Sequence, residues 1–324
     1  MTGHPRVVVT RRLPAPVEAR LTEAFDAVLN AGDRALTPDE LAEAVRSADA
    51  LLPTVTDRIS AEVLSAQPRR TAIVANFGVG YNNIDIAAAK ANGIVVTNTP
   101  DVLTDCTADT AMTLLLSVAR RAGEGERQLR AGAWTGWRPT HLLGTKVTGK
   151  TLGIVGMGRI GRAVARRAHH GFGMRILYFE PFEVPEGEIA GLDAQRVDSL
   201  EELLAGSDFV SLHCPATPET RHLINAETLG TMKPGAFLIN SARGDVVDEA
   251  ALVEALEAGK IAGAGLDVYE GEPRVSPGLL EMENVVLFPH LGSATKETRV
   301  AMGLRAFENL LAFFRGDRPR DRVA

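Results

Sequence analysis

Leu152-Gly153-Ile154-Val155-Gly156-Met157-Gly158-Arg159-Ile160-Gly161 is the stretch on which the fold turns. An apolar run of strand length leads straight into a G-x-G-x-x-G, and a helical pattern follows over 159–170. In such a strand–turn–helix unit the glycines serve a tight turn, a close backbone approach to a pyrophosphate and close helix–strand packing. The helix N-terminus adds amide donors and the positive end of a dipole. On its own a G-x-G-x-x-G is often an ordinary tight turn. Here the strand, the helix and an acidic residue at the right distance accompany it. Glu180 closes the next apolar run, Leu177-Tyr178-Phe179, where a carboxylate holds the ribose hydroxyls of an adenine dinucleotide. A carboxylate repels a 2′-phosphate, and Pro181 and Phe182 offer no cation, so NAD is the expected cofactor. Arg159 and Arg175 are near enough in sequence to keep NADP open.

Outward from this unit the chain keeps alternating. Towards the C-terminus, strands are expected at 175–179, 209–212, 237–240, 265–268 and 285–287, with helices at 199–205 and 249–258 and a long closing helix at 295–314. Towards the N-terminus, strands are expected at 6–10, 50–52, 72–75 and 94–96. Helical patterns fall at 17–28, 60–65 and 84–91, and a long helix covers 107–121. Residues 132–144, with Trp134 and Trp137, read as an irregular excursion. Alternation of this kind implies parallel sheets with right-handed crossovers, hence an α/β protein of two Rossmann-like or flavodoxin-like domains.

Composition agrees with that layout. A length of 324 residues is enough for about two domains. With 45% hydrophobic and 23% charged residues the chain can bury a core, which excludes intrinsic disorder. Lys and Arg number 35 against 41 Asp and Glu, a net charge of −6, which argues against nucleic-acid or anionic-membrane partners while leaving room for a local basic pocket. Cys106 and Cys214 fit neither a disulfide framework nor a zinc pattern, so no metal and a reducing, cytoplasmic compartment are expected. Residues 1–5 are polar and unlike a signal peptide, and the apolar runs stay below the roughly 20 residues of a membrane helix.

Three later stretches carry polar residues at strand ends, where open α/β sheets bind their ligands. They are Asn240-Ser241-Ala242-Arg243-Gly244-Asp245, Gly265-Leu266-Asp267-Val268-Tyr269-Glu270-Gly271-Glu272-Pro273 and Pro289-His290-Leu291-Gly292-Ser293-Ala294. An arginine can bind a carboxylate and polarise a carbonyl, a histidine can move a proton, and an acid can orient the histidine and favour its charged form. Taken singly, Arg243 reads as a surface arginine, Glu272 as a loop carboxylate and His290 as a structural histidine. Together, behind a dinucleotide fold, they form a set suited to a 2-oxo acid.

With Asn76-Phe77-Gly78-Val79-Gly80-Tyr81-Asn82-Asn83-Ile84-Asp85 and Thr99-Pro100-Asp101-Val102-Leu103-Thr104, these motifs make nearly the whole chain resemble the D-isomer-specific 2-hydroxyacid dehydrogenases. Trp134-Thr135-Gly136-Trp137-Arg138-Pro139 is similar to the glyoxylate/hydroxypyruvate reductase branch. The resemblance implies a cofactor domain, 99–288, inserted into a substrate domain made of 1–98 and 289–324, with the two crossings acting as hinges. It implies Arg243, Glu272 and His290 as catalytic residues, and substrate binding by Leu52, Asn76, the amides of Val79 and Gly80, Arg243 and His290. Cofactor contacts would come from Gly156, Gly158, Arg159, Ile160, Gly161, Glu180, Pro181, Phe182, Cys214, Ser241, Ala242, Arg243, Asp267, His290 and Gly292. The implied reaction is reversible hydride transfer between NAD(P)H and glyoxylate or hydroxypyruvate, in a homodimer whose tryptophans cover a neighbouring site. Rival readings are the same fold acting on D-lactate, D-3-phosphoglycerate or phosphite, and a cofactor-sensing scaffold of the corepressor kind.

Overall fold

A computed structural model describes residues 3–324. Met1 and Thr2, which open the polar N-terminal segment, lie outside the described residues. The chain divides into two compact units, Met1–Leu103 with Ala294–Ala324, and Thr104–Ser293. The division thus falls after Leu103 and after Ser293, rather than after residues 98 and 288. The breaks at Asn98-Thr99-Pro100 and Pro289 are local backbone features, whereas the division follows where packing changes partner.

In the first unit, strands β1 (Arg6–Val9), β2 (Asp26–Val28), β3 (Ala50–Leu52), β4 (Ile73–Ala75) and β5 (Val95–Thr97) form a parallel sheet in the order β2-β1-β3-β4-β5. The central strands β3 and β4 are buried throughout, as strands covered by helices on both faces must be. Thr37 and Glu40 close a capping box at the helix Pro38–Ser47, satisfying amides that the first turn cannot pair itself. The closing helix Lys296–Phe314, capped by Thr295, returns to this unit and packs on Ala15–Ala24 and β4.

The second unit holds β6 (Thr151–Val155), β7 (Arg175–Phe179), β8 (Ala194–Arg196), β9 (Phe209–Leu212), β10 (Phe237–Asn240), β11 (Gly263–Leu266) and β12 (Val285–Leu287), parallel in the order β12-β11-β10-β9-β6-β7-β8. From β6 the chain winds outward through β7 and β8, then returns to β9 on the other side of β6 and winds the opposite way. The C-terminal ends of β6 and β9 therefore flank the point where the winding direction switches, the place where this architecture opens a ligand crevice. Two apolar clusters fill the opposite faces of the sheet, one around Leu203, Leu212 and Leu238, the other around Leu114, Ile154 and Phe209. Among the described residues, no helix is long and apolar enough to cross a membrane.

The pattern read from the sequence differs from the structure at the edges. The long helix spans Thr104–Ala119 and stops where Arg121 turns left-handed (φ 52°), and a further helix, Ala122–Arg130, follows. That helix has no buried residue, so it carries no apolar stripe for a periodicity to register. Strand β8 escaped for the same reason, being a short edge strand with mostly exposed side chains. The helical pattern read over 17–28 overran: the helix is Ala15–Ala24, Phe25 turns extended, and Asp26–Val28 is the edge strand β2, whose Val28 fell by chance at helical spacing.

Candidate active site

The glycine turn lies at the switch point. A side chain at Gly156 (φ 95°) would meet Cys214 N at 2.6 Å, and one at Gly161 would meet the Gly156 carbonyl at 2.2 Å. At both positions the protein's own backbone excludes a Cβ. Gly158 is different: its φ of −69° suits any residue, and a Cβ there would meet nothing within 4 Å. Gly158 also caps the helix Arg159–Phe172 without a side-chain hydrogen bond, so the first-turn amides face an approachable surface. Beyond β7, Glu180 turns back and accepts the amide of Met157 at 2.9 Å. Pro181 and Phe182 follow on the surface.

Arg175 opens β7 at its far end, roughly 16 Å of strand away from Glu180, and so takes no part. The arginine beside Glu180 is instead Arg196, which stands opposite Tyr178 on β8 and donates to the Glu180 carbonyl at 2.9 Å. Sequence reasoning missed it because β8 itself gave no signal. His213, between β9 and the buried Cys214, was missed as well. Its Nε2 lies 2.8 Å from Ser211 Oγ, and burial holds its pKa at about 4, while burial pushes the Cys214 thiol up to about 11. Both groups are therefore neutral near pH 7 and shape the crevice without charging it.

The ends of β10 and β11 carry the remaining polar residues. Asn240 braces the turn after β10: its Oδ1 accepts Ala242 N at 3.0 Å and its Nδ2 donates to the Arg243 carbonyl at 2.9 Å. The Ser241 hydroxyl is buried without a hydrogen-bond partner among the described residues. Such an orphan, an approachable turn at Gly158 and a carboxylate at Glu180 fit a dinucleotide laid across the ends of β6, β9 and β10.

His290 sits in a left-handed conformation (φ 55°), unusual for a residue with a side chain. Asp267, buried at the end of β11, holds that turn from three sides. Its carbonyl accepts His290 N at 3.0 Å, Oδ1 accepts Leu291 N at 2.6 Å and Oδ2 accepts Gly292 N at 2.7 Å. Asp267 and Gly292 are thus engaged with each other inside the protein. The His290 ring then meets Glu272, with Nδ1 2.8 Å from Oε2, while the other carboxylate oxygen accepts Tyr269 N at 3.1 Å. Burial works to raise the pKa of Glu272, but the hydrogen bond and charge of His290, the Tyr269 amide and the charge of Arg243 outweigh it, so the carboxyl lies below its ordinary range. For Asp267 burial wins and raises the pKa. Burial likewise opposes the Arg243 charge, which the Glu272 and Asp245 carboxylates support. Glu272 is thus paired with the His290 ring and also feels the Arg243 charge, so a proton carrier and its carboxylate share one region with a guanidinium. Among the described residues no cluster of His, Cys, Asp or Glu is placed to hold a metal ion.

Residues 112–292 match the family model of the D-isomer specific 2-hydroxyacid dehydrogenase, NAD binding domain. The chain belongs to that family. A glyoxylate reductase of Thermococcus litoralis is 48% identical over 323 residues, 98% of this chain and 96% of that relative. A glycerate dehydrogenase of Hyphomicrobium methylovorum is 42% identical over 311 residues, 96% of each chain. Among solved structures, an NADPH-dependent glyoxylate/hydroxypyruvate reductase of Sinorhizobium meliloti, in complex with NADP and malonate, superposes with a TM-score of 0.86 at 39% identity, covering 99% of this chain and 97% of that one.

In this dehydrogenase the other expected residues belong to the first unit. Leu52 and Asn76 are fully buried. Asn76 spends its amide on the loop above it, donating to the Gly78 and Gly80 carbonyls rather than facing outward. Val79 and Gly80 are partly exposed.

Proposed function

We propose that this dehydrogenase reduces small 2-oxo acids, glyoxylate and hydroxypyruvate foremost, to glycolate and D-glycerate, and runs the reverse oxidation. The observation that carries the proposal is the 2.8 Å Glu272–His290 pair beside Arg243, in the unit that holds the dinucleotide turn. The similarity to glyoxylate reductases over nearly the full chain supports the choice of substrates. Bound NADH supplies the hydride that reaches C2 of the oxo acid. Gly156, Gly158, Arg159, Ile160 and Gly161 would hold its pyrophosphate. Glu180, Pro181 and Phe182 would hold the ribose, and Cys214, Ser241, Ala242, Asp267, His290 and Gly292 would line the rest of its path.

Arg243 binds the substrate carboxylate and the C2 carbonyl oxygen, and stabilises the negative charge that develops there during transfer. With Nδ1 committed to Glu272, His290 presents Nε2 to that oxygen and delivers the proton, a contribution of ~10²–10⁴-fold. Glu272 keeps the ring oriented. On the first unit, the amides of Val79 and Gly80, with Leu52 and Asn76 behind them, would offer donors to a carboxylate. Glu180 favours NAD. Arg196, attached to the Glu180 carbonyl, is a cation that a 2′-phosphate could use, so NADP is also accepted, less well than NAD because the Glu180 carboxylate repels it.

A second copy of the chain is the expected partner. The helix Ala122–Arg130 buries none of its residues, and Leu129, Trp134, Trp137 (83% exposed) and Leu143 stand out of the segment around and after it. Apolar surface of this kind on one segment is what a homodimer covers. Cys106 and Cys214 are not joined in a disulfide, which accords with a reducing, cytoplasmic setting.

The deciding experiment follows oxidation of NADH and of NADPH with glyoxylate, hydroxypyruvate, pyruvate and phosphohydroxypyruvate in parallel. The proposal expects the first two acids to be turned over fastest, and NADH to serve better than NADPH. Preference for pyruvate or phosphohydroxypyruvate would reassign the substrate, and no turnover with any acid would favour a scaffold.

A further inference from the structure

The loop Gly78-Val79-Gly80 has its three successive carbonyls turned into the first unit and held there. The Gly78 carbonyl accepts Thr99 N at 3.0 Å and Asn76 Nδ2 at 3.3 Å. The Val79 carbonyl accepts Asn98 Nδ2 at 2.9 Å, and the Gly80 carbonyl accepts Asn76 Nδ2 at 2.9 Å. In a trans peptide the carbonyl of one residue and the N–H of the next point in opposite directions. Fixing these three carbonyls inward therefore aims the N–H groups of Val79, Gly80 and Tyr81 outward, side by side, as an anion-binding concavity requires.

Both asparagines are themselves held. Asn98, 8% exposed, donates its backbone N–H to the Asp321 carbonyl at 3.2 Å, and its carbonyl accepts Asn309 Nδ2 at 3.4 Å. Asn76 Oδ1 accepts Asn83 Nδ2 at 3.3 Å, which fixes which end of the Asn76 amide faces the loop. Asn83 also donates to the carbonyls of Thr54 and Asp57 at 3.1 Å, tying the segment after β3 to the segment after β4.

We propose that Asn98, and Asn83 acting through Asn76, are positioning residues for substrate recognition: they set the peptide planes of Gly78-Val79-Gly80 so that its amides receive the carboxylate of the 2-oxo acid. The proposal rests on the reductase reading above and extends it to residues that touch neither substrate nor cofactor. Its consequence is selective. Loosening a peptide plane weakens carboxylate binding, while hydride and proton transfer, which this loop does not perform, keep their rate.

The full-length protein is assayed for glyoxylate reduction by NADH, with oxamate as a dead-end carboxylate probe, in Asn98→Ala, Asn98→Asp and Asn83→Ala. Asn98→Ala is expected to raise KM for glyoxylate and the oxamate inhibition constant together, by about 5- to 20-fold. Its kcat should stay within about threefold and its NADH affinity, from fluorescence titration, should not move. Asn98→Asp keeps the shape but sets an acceptor against the Val79 carbonyl, so its KM should rise at least as much. Asn83→Ala should show a smaller change of the same kind. If Asn98→Ala does not yield folded protein, Asn98→Asp decides. An unchanged KM in Asn98→Asp overturns the proposal, as does a fall in kcat and NADH affinity alongside KM, which is the mark of general loosening. A wild-type protein inert towards every 2-oxo acid would sink the reductase reading itself, whereas an active wild type with unmoved KM in the variants sinks this inference alone.

Discussion

Gly158 and Gly161 lie three residues apart in one turn, and alanine at each should do opposite things. At Gly161 a Cβ would stand 2.2 Å from the Gly156 carbonyl oxygen and 3.1 Å from Ile154 Cγ2, inside atoms of the turn and of β6. Overpacking of that kind costs about 1–3 kcal/mol, so Gly161→Ala should lower Tm by roughly 5 °C for a unit of this size. At Gly158 the backbone is ordinary and the Cβ would meet nothing within 4 Å. The poorer cap and the stiffer unfolded chain nearly offset, leaving a net change of about 1 kcal/mol or less and a Tm within about 4 °C of wild type. What the methyl does occupy is the space a pyrophosphate needs to reach the first-turn amides. Losing one charge-assisted hydrogen bond, ~1.5–3 kcal/mol, weakens NADH by about 10- to 100-fold. Thermal melting followed by circular dichroism and NADH titration by fluorescence read the two quantities separately. Wild-type NADH affinity in Gly158→Ala would refute the placement of the pyrophosphate at this turn. A large fall in its Tm would refute the claim that only a ligand comes close to Gly158.

Other expectations follow from the same geometry. Glu272→Gln removes the carboxylate charge that faces His290 Nδ1 at 2.8 Å, so it should lower kcat for glyoxylate by about 10-fold or more while NADH affinity stays unchanged, and an unaltered kcat contradicts the pairing. His213 has a folded pKa of about 4 against an ordinary 6.5, so the unfolded chain takes up its proton first. The stability His213 contributes is present above pH 6.5 and is lost as pH falls towards 4, by at most about 3–3.5 kcal/mol; the Tm of His213→Gln should drop less steeply over that window, and parallel curves would contradict the assignment. Trp137→Glu, placing a charge on the exposed apolar segment, should shift the molar mass in light scattering from dimer to monomer, and an unaltered mass would place the interface elsewhere.

What the sequence disclosed and what it concealed follow from burial. The turn at 156–161, the central strands and the three polar stretches were legible because backbone demands and continuous apolar runs leave a local signature. Helix Ala122–Arg130 and edge strand β8 bury little and left none, and Val28 of edge strand β2 continued the helical spacing of Val17, Leu21 and Ala24, which drew the strand into the helix read over 17–28. Arg196 was hidden with β8, and attention went to Arg175, which sits at the wrong end of its strand. The Glu272–His290 contact links residues 18 apart, and the Asn98–Val79 contact residues 19 apart; no periodicity encodes either. Asp267 was readable as a polar residue at a strand end, but its grip on the His290 turn needed the backbone path between them.

The most direct measurement reduces hydroxypyruvate with NADH and determines the configuration of the glycerate by enantioselective chromatography, in wild type and in His290→Gln. The account predicts D-glycerate from the wild type, and from His290→Gln a near-complete loss of turnover with NADH affinity retained. L-glycerate, no NADH consumption by the wild type, or an active His290→Gln would contradict it.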